Sequence, residues 1–223
     1  MSGASTGGEA RHDTVPETAL AWHREGRGAA LATVLETWGS APRPVGSQLV
    51  VSAGGEIEGS VSGGCVEGAV IVAAQEALAD GRCRVLEFGV SDEDAFAVGL
   101  ACGGTIRVLV EPVGRGEGWP EALLAELVAA RAAREQVAVV TDLASWERRL
   151  HRRPEGPHAA AIAAGFADDR SRLDEGAFVH IHNPPLRMAI VGAVHIAQAL
   201  APMARLAGYD VTIIDPRPVF ASS

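Results

Sequence analysis

The chain has 223 residues, 48% of them apolar, and its 19 basic and 28 acidic side chains give a formal net charge of −9. That length and apolar content suffice for one large or two small domains with a buried core, and the negative balance argues against a general nucleic-acid or anionic-membrane binder. Every basic residue is arginine, which excludes lysine Schiff-base chemistry and a P-loop lysine and leaves arginine as the side chain of fixed charge for phosphate.

Residues 1–13, MSGASTGGEARHD, lack the basic-then-apolar pattern of a signal peptide and read as a disordered leader. Three cysteines, an odd number with no CxxC pair, fit a reducing cytoplasm better than a disulfide framework. The capping pattern Thr14-Val15-Pro16-Glu17 predicts a helix over 16–25, ended by Gly26. Residues 29–37 read as a buried strand, followed by a stiff, proline-rich turn over 38–46 that carries Arg43. A strand over 47–52, the turn signal Ala53-Gly54-Gly55 and a return through 56–60 form a hairpin whose end presents Cys65.

The stretch 59–111 is the most informative part of the chain. Gly63 and Gly64 precede Cys65, and apolar residues at helical spacing follow over 66–79, which places Cys65 on a glycine turn at a helix N-terminus. Free backbone N–H groups and the positive end of the helix dipole stabilise an anion there and would lower a thiol pKa. Ser62, Gly63 and Gly64 are therefore candidate anion-binding residues beside Cys65. Strands are expected over 84–90 and 105–111, with Cys102-Gly103-Gly104 just before the second; glycine there allows backbone to approach a bound group closely. Two readings of Cys65 and Cys102 fit: reactive or metal-binding thiolates, or small buried hydrophobes in glycine turns. Cys83, at a strand entry, reads as a packing thiol.

Residues 114–118 read as a short flexible connection, 120–134 as an amphipathic helix and 137–141 as a buried strand. The segment 143–187 shows less regular patterning. Its basic run Arg148-Arg149-Leu150-His151-Arg152-Arg153 reads as a solvated face. His180 and His182 share one side of a strand; without a third ligand nearby they read as exposed or core histidines rather than as a metal site. The apolar window 188–209 is interrupted by His195, Gln198, Pro202 and Arg205 and reads as strand plus helix, not as a membrane span. Strand 188–191, Gly192, a helix to about 207, Gly208, strand 210–214 and then Asp215 form the opening βαβ of a dinucleotide-binding fold, with Gly192 at the phosphate turn and Asp215 at the ribose position. Val194 stands where the fingerprint needs a glycine, so NAD(P) binding is doubtful.

In the segments TWGSAPRPVGSQLVV, GSVSGGCVEGAV, FGVSDEDAFAVGLACGGTIRVLVEP and NPPLRMAIVGAVHIAQALAPMARLAGYDVTIIDPR the chain resembles the XdhC/CoxI family, accessory proteins of xanthine dehydrogenase and carbon monoxide dehydrogenase. The resemblance implies an α/β protein: an XdhC/CoxI-type mixed α/β domain over 14–185, followed by an incomplete Rossmann-like βαβ unit over 186–223. It also implies a carrier role. Family members are thought to bind the molybdenum cofactor (molybdopterin), protect it during sulfuration and pass it to an apo molybdenum hydroxylase. Cys65 and Cys102 then become the residues expected to contact molybdenum or to relay sulfur from a cysteine desulfurase. Arg43, Ser62, Gly63, Gly64, Gly103 and Gly104 are expected to hold the anionic cofactor, with Gly192 and Asp215 as the residual nucleotide-type positions. A two-stranded parallel unit with one helix buries little surface alone, so a homodimer is expected. An NAD(P)-dependent oxidoreductase and an inactive interaction module remain as the other readings.

Overall fold

The computed structural model describes residues 14–39, 43–89 and 104–217. They divide into a unit Val15–Asn183 and a second unit from Pro184 onward. Both mix helices with strands, so the protein is α/β.

The first unit opens with α1 (Val15–Arg24) and then lays down a five-stranded antiparallel sheet. Its strands are β1 (Ala30–Trp38), β2 (Gln48–Val51), β3 (Ile57–Gly59), β4 (Arg84–Phe88) and β5 (Thr105–Pro112), in the order β3-β2-β1-β5-β4. Helix α2 (Glu67–Asp80) covers one face. Val66, Val70, Ala73, Ala74 and Ala77 meet Ala30, Ala32, Val34, Leu49, Val51, Val108 and Val110 there, all essentially without solvent exposure. Gly81 ends α2 in the left-handed conformation and returns its N–H to Ala77, which is why a glycine stands there. On the other face Leu31 and Val50 pack with Val15, Ala19 and Leu20 of α1 and with Leu124 and Leu127 of α3 (Glu121–Ala132).

A second antiparallel sheet has the order β7-β6-β9-β8, from β6 (Val137–Asp142), β7 (Arg148–His151), β8 (Arg172–Asp174) and β9 (Ala177–His182). Helix α4 (Ala159–Asp168) packs against it through Ala161 and Ile162. Leu35, Leu109 and Phe178 join the two sheets in one buried cluster. The segment 143–187, irregular in its sequence pattern, thus holds three strands and a helix. Two of those strands span only four and three residues, too short for a two-residue period to register.

Two further readings change. The basic run is not a uniformly solvated face: it is β7 and its exit, and Arg148 has 2% of its side chain exposed. Arg148 donates through Nε to Glu111 at 2.8 Å, through its terminal nitrogens to Glu117 and Trp146 carbonyls, and to Cys83 Sγ at 3.2 Å. Trp119 Nε1 donates to the other Glu111 oxygen at 2.9 Å. Burial pushes the Cys83 thiol up to about 11, against the pull of Arg148, so Cys83 is a packed, protonated thiol. The supposedly flexible connection 114–118 is tightly packed: a Cβ on Gly116 would run into the Gly81 carbonyl, and one on Gly118 into the Pro112 carbonyl.

The second unit is a parallel βαβ of β10 (Arg187–Val191), α5 (His195–Leu206) and β11 (Asp210–Ile214). Ala201, Ala204 and Val211 pack with Met188 and Ile190, while Val191 and Ile196 are 79% and 80% exposed. Among the described residues no helix is long and apolar enough to cross a membrane.

Candidate functional site

Alternating strand directions decide which loops meet. β1, β3 and β4 end, and β2 and β5 begin, at one end of the five-stranded sheet, because each paired neighbour is antiparallel. The connection after β1 that carries Arg43 leaves that end, as does the connection from β3 into α2 that carries Cys65, and β4 stops and β5 starts there. Cys102 and Gly103, on the last of these, lie outside the described residues; Gly104, which follows them, is buried.

The loop between β3 and α2 is organised by a residue that sequence reasoning passed over. The Glu67 carboxylate accepts hydrogen bonds from the Ser60 hydroxyl at 2.8 Å, the Ser62 amide at 2.9 Å, the Gly63 amide at 3.1 Å and the Gly64 amide at 2.9 Å, and also from the Ser62 hydroxyl. The Ser62 oxygen in turn accepts from the amides of Cys65 and Val66, both at 3.0 Å. Partial burial pushes the Glu67 carboxyl up, but the Ser62 and Ser60 hydrogen bonds outweigh it and bring it from 4.5 down to about 2. The amides expected to cradle a ligand's anion therefore already hold a carboxylate of the chain itself, and the Ser62 oxygen ties down the two amides just before α2. The sequence signal was an acid in the first turn of a helix, next to a glycine turn. Ser62 and Glu67 are five residues apart rather than three, so a capping-box search misses them.

Cys65 is a free, partly exposed cysteine whose side chain lies at the margin of the α2 core. The side chain makes apolar contact with that core while the residue keeps partial exposure. Arg43 is exposed, and no partner for its guanidinium occurs among the described residues.

The histidine pair belongs to the core. His180 and His182 lie on β9, both buried, with ring centroids 4.1 Å apart. His180 Nε2 is 3.1 Å from the Gly46 carbonyl, and His182 Nδ1 is 3.3 Å from the Arg131 guanidinium. Burial first, and then the Arg131 charge, lowers His180 to about 4; burial, His180 and Arg131 lower His182 well below 6.5. Two neutral rings facing a guanidinium form a packing element of this unit. Among the described residues no group of three or more His, Cys, Asp or Glu could hold a metal ion.

In the second unit Gly192 has φ +105° and donates its N–H to Ile214. Asp215, expected at a ribose, instead accepts from the Ala193 amide at 2.8 Å and from Arg217, which hold its carboxyl well below the usual range, the Arg217 bond contributing most. Val194 caps α5 with an extended backbone and no side-chain hydrogen bond.

These features define an α/β protein whose loops of interest gather at one sheet end, and the comparisons give the class. Residues 22–89 match the model of the XdhC and CoxI family, in agreement with the resemblance read from the motifs. It is 32% identical over 216 residues to the molybdenum cofactor insertion chaperone PaoD of Escherichia coli, a match covering 95% of this chain and 60% of PaoD. It is 36% identical over 81 residues to YqeB, an uncharacterized protein of Escherichia coli, covering 36% of this chain and 15% of YqeB. The crystal structure of a xanthine dehydrogenase from Bacillus halodurans superposes with a TM-score of 0.73 at 23% identity, over 93% of this chain and 64% of that one. The chain spans less than two thirds of the length of PaoD, and the last comparison speaks to fold alone.

Proposed function

We propose that this protein binds molybdenum cofactor and delivers it to an apo molybdenum hydroxylase in the cytoplasm, as a carrier and not as an enzyme that turns over a metabolite. The observation that carries the reading is that the connections bearing Arg43 and Cys65 leave the same sheet end at which β4 stops and β5 starts, in a chain similar over 95% of its length to a cofactor insertion chaperone.

The residues fit the group in part. Thiolates suit a soft metal, and an arginine fork suits a phosphate. Cys65 and Arg43 are accessible for these roles, and Cys102, at the same connection set, is proposed as the second thiol. The amides of Ser62, Gly63 and Gly64 do not fit as phosphate donors, because Glu67 holds them. They keep Cys65 in place instead. Gly103 and Gly104 are proposed to let the backbone approach the bound group. The cofactor brings the metal centre and dithiolene that the client enzyme uses; the chain's part is to hold and release it. We further propose that a cysteine desulfurase supplies sulfur to this site, and that two copies pair through exposed apolar side chains of the second unit, such as Val191 and Ile196. Sedimentation showing only monomer at micromolar concentration overturns the pairing.

The test is pterin content after anaerobic purification, read as fluorescence of the oxidised pterin. Cys65→Ala and Cys102→Ala should each lower it while the circular dichroism spectrum is retained. Undiminished pterin in the double variant overturns the site, and nicotinamide in place of pterin redirects the function to the oxidoreductase.

A further inference from the structure

Four tryptophans occur in the chain, and three have partners that account for them. Trp22 lies under the Arg27 guanidinium at 4.5 Å, Trp119 is buried and bonded to Glu111, and Trp146 packs with Leu35, Leu109 and Phe178. Trp38 is 72% exposed, and among the described residues its indole has neither a hydrogen-bond partner nor a ring partner. Tryptophan is highly buried on average, and its amphipathic ring is enriched where proteins meet partners.

Its place in the fold is specific. Trp38 is the last residue of β1, opposite Thr105, the first residue of β5. The register of β1 against β5 shifts between Val34 and Glu36. The extra residue moves Trp38 off the face covered by α2, onto the side of the sheet where Glu36 is paired with Arg107 at 3.2 Å. Trp38 therefore stands at the sheet end where β3 and β4 stop and β5 starts, and the connection that carries Arg43 begins directly after it. An open aromatic face and, a few residues on in sequence, a guanidinium without a partner among the described residues are the two halves of a receptor for a flat heterocycle bearing a phosphate.

Resting on the carrier reading above, we propose that Trp38 is the stacking platform for the bicyclic pterin ring of the cofactor, while Arg43 takes its phosphate. Stacking needs only a π-face and leaves on-and-off exchange open, as transfer to a second protein requires.

The full chain and its Trp38→Ala and Trp38→Phe variants are titrated anaerobically with molybdopterin freed from a molybdoenzyme, and with 6-carboxypterin, which has the ring without the phosphate. Ring stacking is worth ~1–3 kcal/mol per base, so Trp38→Ala should weaken molybdopterin binding by roughly 5- to 150-fold. Trp38→Phe should restore most of it, and both ligands should quench tryptophan emission more in the parent chain than in the phenylalanine variant, which keeps the other three tryptophans. Because the ring is exposed, both variants should keep the parent unfolding midpoint. If Trp38→Ala binds molybdopterin as the parent does, the platform is wrong and the carrier reading stands. If Trp38→Ala loses only its complex with the client hydroxylase, the residue is a protein contact and the platform is again wrong. A parent chain that binds no molybdopterin removes both.

Discussion

Replacing Glu67 by Gln probes the loop that carries Cys65, because one carboxylate accepts five hydrogen bonds there. Glutamine keeps a single acceptor oxygen and turns an NH2 group toward N–H and O–H donors, so about two of the five bonds become donor-to-donor contacts. The lowering of Glu67 from 4.5 to about 2 corresponds to about 3.4 kcal/mol at 1.36 kcal/mol per unit. Glu67 is only partly buried, and solvent screening cuts that to about 1–2 kcal/mol. The folded-state pKa lies below the unfolded one, so this stabilisation is complete above about pH 4.5 and is lost as pH falls through about 2. Urea unfolding should place Glu67→Gln about 1–2 kcal/mol below the parent at pH 7, and the gap should close toward pH 2. Other acid-sensitive groups titrate equally in both proteins, so the difference isolates Glu67. Iodoacetamide should also alkylate Cys65 several-fold faster in the variant. Equal midpoints at pH 7, or a gap that persists unchanged at pH 2.5, would refute the assignment of Glu67 as the loop's internal anion.

The buried histidines act in a separate window. With folded pKa values below the unfolded value near 6.5, they contribute stability above that pH. It should fall by up to about 1.4 kcal/mol per unit for each ring between about pH 6.5 and 4, and a parent with flat stability over that range contradicts their burial as neutral rings. Arg148→Met leaves the Glu111 carboxylate buried without its partner and should cost about 3–5 kcal/mol in urea, with Arg148→Met/Glu111→Leu recovering most of the loss; equal destabilisation in single and double variants would contradict that account. NAD and NADP should bind no tighter than about millimolar, since Val194 crowds the pyrophosphate turn and Asp215 is engaged by Ala193 and Arg217. Micromolar calorimetric affinity would reverse that expectation.

The elements of the five-stranded sheet were legible where a period, an apolar run or a turn signal marked them, the short β2 and β3 being given away by Ala53-Gly54-Gly55 between them. Thr105–Pro112 alternates in sequence, and Val66, Val70, Ala73 and Ala77 repeat at helical spacing and do line the α2 core. The short strands β7 and β8 carry too few residues to show a period, and β7 was masked further by its arginines. A guanidinium on a short strand looks like surface unless its buried carboxylate is known, and Glu111 is 37 residues away from Arg148. The glycines of 114–118 were read for flexibility when two of them serve close backbone approach, a distinction that depends on a neighbour distant in sequence. At the candidate site the glycine turn before α2 was visible, whereas the occupant of its amides was not. An acid in a first helical turn is so common that only geometry separates a solvated one from one that fills a cradle.

That occupied cradle bears on what kind of binder the site makes. An enzyme or a storage protein gains from fixed backbone donors aimed at its ligand, because such donors cost no ordering when the ligand arrives. Here the fixed donors of 62–64 are closed on Glu67, and among the described residues at the sheet end the groups left exposed or partly exposed are side chains: Cys65, Arg43 and Trp38. Each must be ordered on binding, at about 0.5–1.5 kcal/mol for a rotamer-rich side chain, and each can be released or taken over one at a time by a competing surface. A site of this construction trades affinity for exchange, which is the property the proposed hand-over of cofactor to a second protein requires.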